Sequence, residues 1–186
     1  MNVFDFDKTI YSKDSSTDFV IFLMKKQPSL LRYLPRIGVA FLSYGLKLID
    51  KTKMKEKFFS VFRGVKDMDS KVTEFWDLKQ DGIHMWYRDI HKSDDVVISA
   101  SPEFLVRPIC ERLGINNLIG SLVDSRTGKY TGINCHGKEK VRRFREEYPD
   151  AVIDSFYSDS YSDTPLAEEA KEAFIVKGEE LLPWVF

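Results

Sequence analysis

The sequence predicts an α/β fold: a parallel sheet covered by helices on both faces, with a helical bundle inserted after its first strand. Three observations carry this. A buried-looking run, Val3-Phe4-Asp5-Phe6, begins almost at the first residue and ends on polar groups. From Asp95 onward, strand, loop and helix signals alternate, as they do when parallel strands are joined by crossover helices. Between these regions, from about Asp18 to His91, apolar residues recur at helical spacing instead. The expected organisation is a core made of residues 1–11 and 92–186, with an inserted helical unit over residues 12–91.

The first strand runs out into Asp5-Phe6-Asp7-Lys8-Thr9. In an open α/β sheet, ligands bind in the crevice beyond the carboxyl ends of the strands. Two carboxylates there can face a ligand, but surface aspartates also cap turns. A D-x-D pair occurs in metal-dependent sugar-nucleotide transferases as well, so the pair alone leaves these readings open. In the insertion, Phe19, Phe22 and Leu23, then Leu30, Leu31 and Leu34, then Phe58, Phe59 and Phe62, then Phe75, Trp76 and Trp86 mark apolar helix faces. Pro28, Pro35 and Gly64 divide them into three to five helices. The apolar run from Ile37 to Ile49 is shorter than the roughly 20 residues of a membrane span and reads as a buried bundle helix.

After Asp95, Val96-Val97-Ile98-Ser99 reads as a strand. Ser101-Pro102-Glu103 reads as a helix opening, with Ser101 as N-cap, Pro102 at the first helical position and an end near Gly114. Thr127-Gly128-Lys129 suggests a small hairpin within Leu118–Ile133. A charged helix over Gly137–Tyr148 stops at Pro149; a strand follows over Val152–Tyr157, a helix from about Pro165, and a last strand at Ala173–Val176.

The chain has 186 residues and a near-neutral balance of 28 Lys/Arg against 29 Asp/Glu, an ordinary globular composition with no mark of a nucleic-acid binder. The charge is unevenly spread. Val20–Lys66 contains eleven basic residues against only Asp50 and Glu56. Cys110 and Cys135 have no metal-site or disulfide spacing and read as small buried residues. The N-terminus enters a strand directly, without the basic and apolar regions of a secretory signal, so the expected location is the cytoplasm.

Asp5 and Asp7, Ser99, and Asp159 and Asp163 thus fall at the ends of three strands, while Lys138 and Lys140 open a helix between the last two. Phosphoryl transfer requires such a set, because catalysis there is mostly positioning and charge neutralisation. Carboxylates from Asp5 and Asp159 suit a hard cation such as Mg²⁺, and a carboxylate oxygen can attack phosphorus.

In this order the motifs resemble the haloacid dehalogenase superfamily of aspartate-nucleophile phosphatases: Asp5-Phe6-Asp7-Lys8-Thr9, then Ser99, then the motif lysine, then Ser158-Asp159 with Asp163. The insertion looks like the helical cap of the phosphoserine-phosphatase-like subfamily, IB. The resemblance implies a Rossmann-like core with Asp5 as nucleophile and Asp7 as acid and base, its carbonyl on Mg²⁺. Thr9 would hold Asp7 in place beside the substrate, and Ser99 would bind phosphate. Asp159 would ligate Mg²⁺, and Asp163 would orient metal-bound water or the lysine. Lys140 fits the lysine better than Lys138, because Phe144 follows one turn on. Asp14, nine residues after Asp5, stands where the subfamily faces a substrate amino group, although with Ser15 and Ser16 it also reads as an N-cap. Ser101 caps a helix whose N-terminus also favours anions. His136 lies near the lysine, where it could touch substrate, but a lone histidine there reads first as a loop or surface residue.

There are departures. Ala100-Ser101-Pro102 replaces the two glycines expected after the motif serine, and Phe58 stands at the cap arginine. Phosphoserine is therefore disfavoured as substrate. The expected activity is Mg²⁺-dependent hydrolysis of a small phosphomonoester, with phosphotransfer or mutase chemistry as an alternative on the same residues. The basic, apolar insertion also fits a lipid phosphate of the phosphatidylglycerophosphate type and peripheral contact with anionic membrane. The alternative is a solvated basic face that steers small anionic substrates.

Overall fold

Six strands form one sheet: β1 (Asn2–Phe4), β2 (Val96–Pro102), β3 (Asn117–Ser121), β4 (Ile153–Ser158), β5 (Ala170–Lys177) and β6 (Glu180–Pro183). The computed structural model describes residues 1–186 and orders them β3-β2-β1-β4-β5-β6. All pairs are parallel except β5 with β6. The short first strand is central: Phe4 pairs with Val97 on one side and Tyr157 on the other. The carboxyl ends of β1, β2 and β4 therefore open on one crevice, as the parallel arrangement requires.

Side chains alternate across the sheet with the period of two that strand geometry imposes. Val3, Val96, Ile98 and Phe156 face a cluster of 12 buried residues. It includes Phe144 of α7 (Lys138–Glu147) and Leu166 of α8 (Thr164–Ala167). Phe4, Val97 and Tyr157 face a larger cluster of 27, together with residues of α6 (Glu103–Arg112). Phe19, Phe59, Phe62, Phe75 and Trp76 belong to that same cluster, so the inserted segment shares a continuous core with one face of the sheet. The Trp76 indole donates to the Leu105 carbonyl at 2.7 Å and ties the two parts together.

The insertion holds α1 (Ser15–Lys26), α2 (Leu34–Gly45), α3 (Lys51–Phe58), α4 (Met68–Lys79) and α5 (Met85–Ile90), with 3-10 turns over Pro28–Tyr33 and Phe59–Gly64. Asp14, Asp50 and Asp67 cap α1, α3 and α4, each accepting a backbone N–H three residues on. Pro35 sits in the first turn of α2, where no intrahelical donor is lost.

Several expectations need correction. The apolar run at α2 is not buried. Only Ile37 and Ala40 of that helix are, while Val39 and Leu42 are each 64% exposed, and Leu46 and Leu48 beyond its end are exposed too. Apolar periodicity shows that a helix has an apolar side, not that anything covers it. Helix α6 starts at Glu103 rather than at Ser101-Pro102, because β2 continues through both residues. The hairpin near Gly128 reduces to a single bridge between Val123 and Tyr130. The helix from Pro165 is one turn, and β6 was not anticipated. No helix is long and apolar enough to cross a membrane.

Candidate active site

The loop after β1 is wound tightly. The Phe6 carbonyl accepts from the N–H groups of Thr9, Ile10 and Tyr11 at 3.0–3.3 Å, and Lys8 takes a positive φ of 59°. This turn sends Asp5 and Asp7 into the crevice and Thr9 inward. Thr9 makes no hydrogen bond to Asp7 and does not open onto the crevice: it is buried, and its Oγ1 accepts the Asp159 N–H at 2.9 Å. It fixes the loop after β4 to the loop after β1, a positioning task different from the one expected.

Asp5, Asp7, Asp14, Lys140, Asp159 and Asp163 line one cleft of about 180 Å³. Lys140 is buried at its floor and donates to Asp5 Oδ1 at 2.6 Å and to Asp163 Oδ2 at 2.7 Å. Lys138 is exposed, two residues earlier on the other side of the helix start. Burial opposes the charge of Lys140, but Asp163 and Asp5 outweigh it and raise its pKa. Asp5 is pushed up to about 7, chiefly by burial; Lys140 pulls it back, while Asp163 and Asp7 add to the rise. Asp163 Oδ2 also accepts from the Ser158 hydroxyl at 2.9 Å, whereas its buried Oδ1 has no partner.

Asp7 is held differently. Its Oδ1 accepts the Ser15 N–H at 2.7 Å and its Oδ2 the Ser101 hydroxyl at 2.5 Å. Its pKa is raised by burial first and by Asp14 second, with the bonds from Ser101 and Ser15 working against the rise. Ser101 therefore does not cap α6: Pro102 takes the cap position, and Ser101 steadies Asp7 while touching the hydroxyls of Ser15 and Ser16. Ser99 is buried, and its Oγ accepts the Ser101 N–H at 3.0 Å, which leaves its own proton without a protein acceptor. Asp14 is the N-cap of α1, one of its two expected roles, and it also lines the cleft.

Residues 3–168 match the family model for haloacid dehalogenase-like hydrolases. The chain belongs to that family. Among its relatives is the protein CicA of Caulobacter vibrioides, 29% identical over 91% of this chain and 82% of its own. The fold resembles a Bordetella pertussis protein of unknown function, with a TM-score of 0.76, 20% identity and coverage of 94% and 88% of the two chains. It also resembles a phosphoserine phosphohydrolase-like protein from Francisella tularensis, with a TM-score of 0.59, 16% identity and coverage of 94% and 87%.

The acidic residues of this hydrolase fit a hard divalent cation by their chemistry, although no three carboxylate, imidazole or thiol groups converge to enclose one. Asp5 commits only Oδ1 to Lys140, and Asp159 is raised by burial first, with Lys8 pulling it back and Asp163 adding to the rise. A surplus of desolvated carboxylate oxygens, one of them orphaned on Asp163, is what an oxygen-seeking cation relieves. Two side-chain carboxylates completed by a backbone carbonyl and water suit Mg²⁺, which keeps several waters.

Lys8, Lys51, Lys55, Ala100, Ser160 and Ser162 also line the cleft and were missed by sequence reasoning. Lys51 and Lys55 reach it from the first and second turns of α3. The basic excess between Val20 and Lys66 was their signal, but charge counts do not say which lysines point inward. His136, expected as a loop residue, also lines the cleft and lies 2.8 Å from the Lys51 ammonium.

Proposed function

We propose that this protein is a Mg²⁺-dependent phosphomonoester phosphatase that works through an aspartyl-phosphate on Asp5. The observation that carries the reading is the unlike treatment of two carboxylates one residue apart. Asp5 sits against a buried ammonium, while Asp7 is held by neutral donors; burial raises both, and only Asp5 has Lys140 to pull it back. Environments that separate two carboxyl groups in this way assign one to attack and the other to proton transfer.

An Asp5 carboxylate oxygen forms a bond to phosphorus as the bond to the leaving oxygen breaks, and Asp7 gives that oxygen its proton, releasing an alcohol. Asp7, now a carboxylate, takes a proton from water as the water oxygen attacks phosphorus, which releases inorganic phosphate and restores Asp5. Lys140 neutralises charge beside Asp5, and Ser99, buried outside the lining of the cleft, would bind a phosphate oxygen only once uncovered. Asp5, Asp159 and the Asp7 carbonyl would hold Mg²⁺, with Asp163 behind them, and the ion would supply charge that offsets phosphate–carboxylate repulsion. Residues 12–91 would act as the helical cap of subfamily IB over this cleft. The name of the Francisella relative supports a phosphomonoester as substrate, and α3 lining the cleft supports a cap role.

In the test, Asp5→Asn abolishes Mg²⁺-dependent hydrolysis of an aryl phosphate while the circular dichroism spectrum is retained. Full activity in that variant, or activity indifferent to EDTA, would overturn the reading.

A second reading is favoured by the exposed face of α2. Val39, Phe41, Leu42, Leu46 and Leu48 face solvent in the basic stretch that contains Arg36 and Lys47. Apolar side chains among cations fit an anionic lipid surface, and with it an amphiphilic phosphate as substrate. Co-sedimentation with phosphatidylglycerol vesicles, lost at high salt and absent with phosphatidylcholine, is expected. Absence of salt-sensitive binding would end this reading.

A further inference from the structure

Two ammonium groups in the cleft have no carboxylate partner, and both come from one helix. Lys51 and Lys55 are one turn apart on α3, so they share a face and point at the same opening. Neither has a carboxylate partner. The Lys51 ammonium is 2.8 Å from His136 Nε2, and Lys55 donates to the Ala100 carbonyl at 3.1 Å. These are neutral acceptors, and each ammonium has three donors to satisfy.

Of the carboxylates nearby, Asp159 lines the same cleft but bonds to neither lysine, and the other four have other work. Asp5 and Asp163 hold Lys140, Asp7 is taken by Ser15 and Ser101, and Asp14 caps α1. Burial lowers the pKa of both lysines, with Asp163 offsetting it at Lys51 and Asp7 and Asp14 at Lys55. Burial also lowers the pKa of His136, with Lys51 adding to the effect, which favours the neutral ring.

We propose that Lys51 and Lys55 form a receptor for a second anionic group of the substrate, a carboxylate or a further phosphate carried by the alcohol part of the phosphomonoester. This rests on the hydrolase reading above and adds the chemical class of the leaving group. Position supports it. Lys55 is anchored on Ala100, next to the Ser101 that holds Asp7, the group assigned to protonate the leaving oxygen. An uncharged leaving group that filled the cleft would take water from both ammonium groups and give nothing in return. A polar site left unpaired discriminates strongly against the ligand that fails to pair it.

The matched pair glycerol phosphate and phosphoglycerate, which differ by one carboxylate, tests the receptor. The deacylated headgroup of a phosphatidylglycerol phosphate, with a phosphodiester one glycerol away from the monoester, gives a phosphate arm and separates a lipid-type ligand from a small acid. For at least one anionic member, wild-type kcat/KM is expected to exceed that for glycerol phosphate at least tenfold. Lys51→Met and Lys55→Met should each cut that ratio at least fivefold, whatever happens to the absolute rates, and Lys55→Arg should recover most of it. Equal rates on all three substrates would overturn the receptor. So would a parallel fall that leaves the ratio unchanged, which would place the lysines on the reacting phosphoryl group. Titration calorimetry of the same compounds gives a reading independent of turnover. The same change of ratio in Kd with no phosphate released would refute the hydrolase reading and uphold the receptor; no change in either ratio refutes the receptor alone.

Discussion

The floor of the cleft and the outer face of α2 treat their side chains in opposite ways. At the floor, charged groups are buried and held one against another, with Lys140 within 2.7 Å of two carboxylates. Along α2, large apolar side chains stand in solvent, with Leu42 64% exposed. Burying a charge is costly unless its partners are in place, so the cleft persists only as a complete set and its geometry is correspondingly fixed. An exposed apolar face costs the isolated molecule little and carries meaning only through what it meets. Changes in the cleft should therefore alter both chemistry and stability, and changes on α2 neither.

The largest effect should come from Lys140→Met, which leaves Asp5 and Asp163 buried together without their cation. Breaking a buried pair from one side costs about 3–5 kcal/mol, and activity should fall at least a hundredfold. Thermal unfolding and aryl phosphate turnover measure the two; a variant as stable and active as the wild type would remove the central ion pair from the account.

The next effect is on pH. The folded pKa of Asp5, about 7, lies above the unfolded value of 3.8. The folded state therefore binds the proton more tightly, and that contribution is fully present below pH 3.8 and is lost as pH rises through 7. Asp7 and Asp159, both raised by burial, act in the same sense. The metal-free protein should lose stability between pH 5 and pH 8, on the order of a few kcal/mol, read as a falling Tm. Mg²⁺ should flatten the profile and Asp5→Asn should reduce its slope. A Tm that rises over this window in EDTA would contradict the assignment.

The smallest effect should be at α2. Val39→Ser combined with Leu42→Ser should shift stability by no more than about 0.5 kcal/mol and leave aryl phosphate hydrolysis unchanged, while vesicle binding is lost. A large drop in Tm would mean that this face is buried in the native protein and the contrast is false.

The parts of this molecule legible in the sequence were those written locally. Asp5, Asp7 and Asp159 follow strands and Asp163 lies in the turn after β4, and a parallel sheet gathers strand ends without further instruction; Ser99, expected at a strand end, lies inside β2. Lys140 was separable from Lys138 because Phe144 marks the buried side of α7 one turn later. What stayed hidden depends on contacts between distant segments. The partner of Thr9 is 150 residues away, and the partner of Ser101 is 94 residues away on the loop after the neighbouring strand β1. The entry of Lys51 and Lys55 into the cleft depends on how α3 is carried over it, which a charge count does not encode. The exposure of α2 was misread for a related reason: its apolar pattern is the same whether or not a neighbour is present. Strand β6 was overlooked because Glu180-Leu181-Leu182-Pro183 is too short to show alternation.

The central claim is that Asp5 is the group that becomes phosphorylated. Quenching the enzyme during turnover, reducing with borohydride and sequencing the N-terminal peptide by mass spectrometry tests this directly, because an acyl phosphate is reduced to an alcohol and a free carboxylate is not. The account predicts homoserine at position 5 only when both substrate and Mg²⁺ are present. An unmodified Asp5 under turnover, or the mark at Asp7 or Asp159 instead, would contradict it.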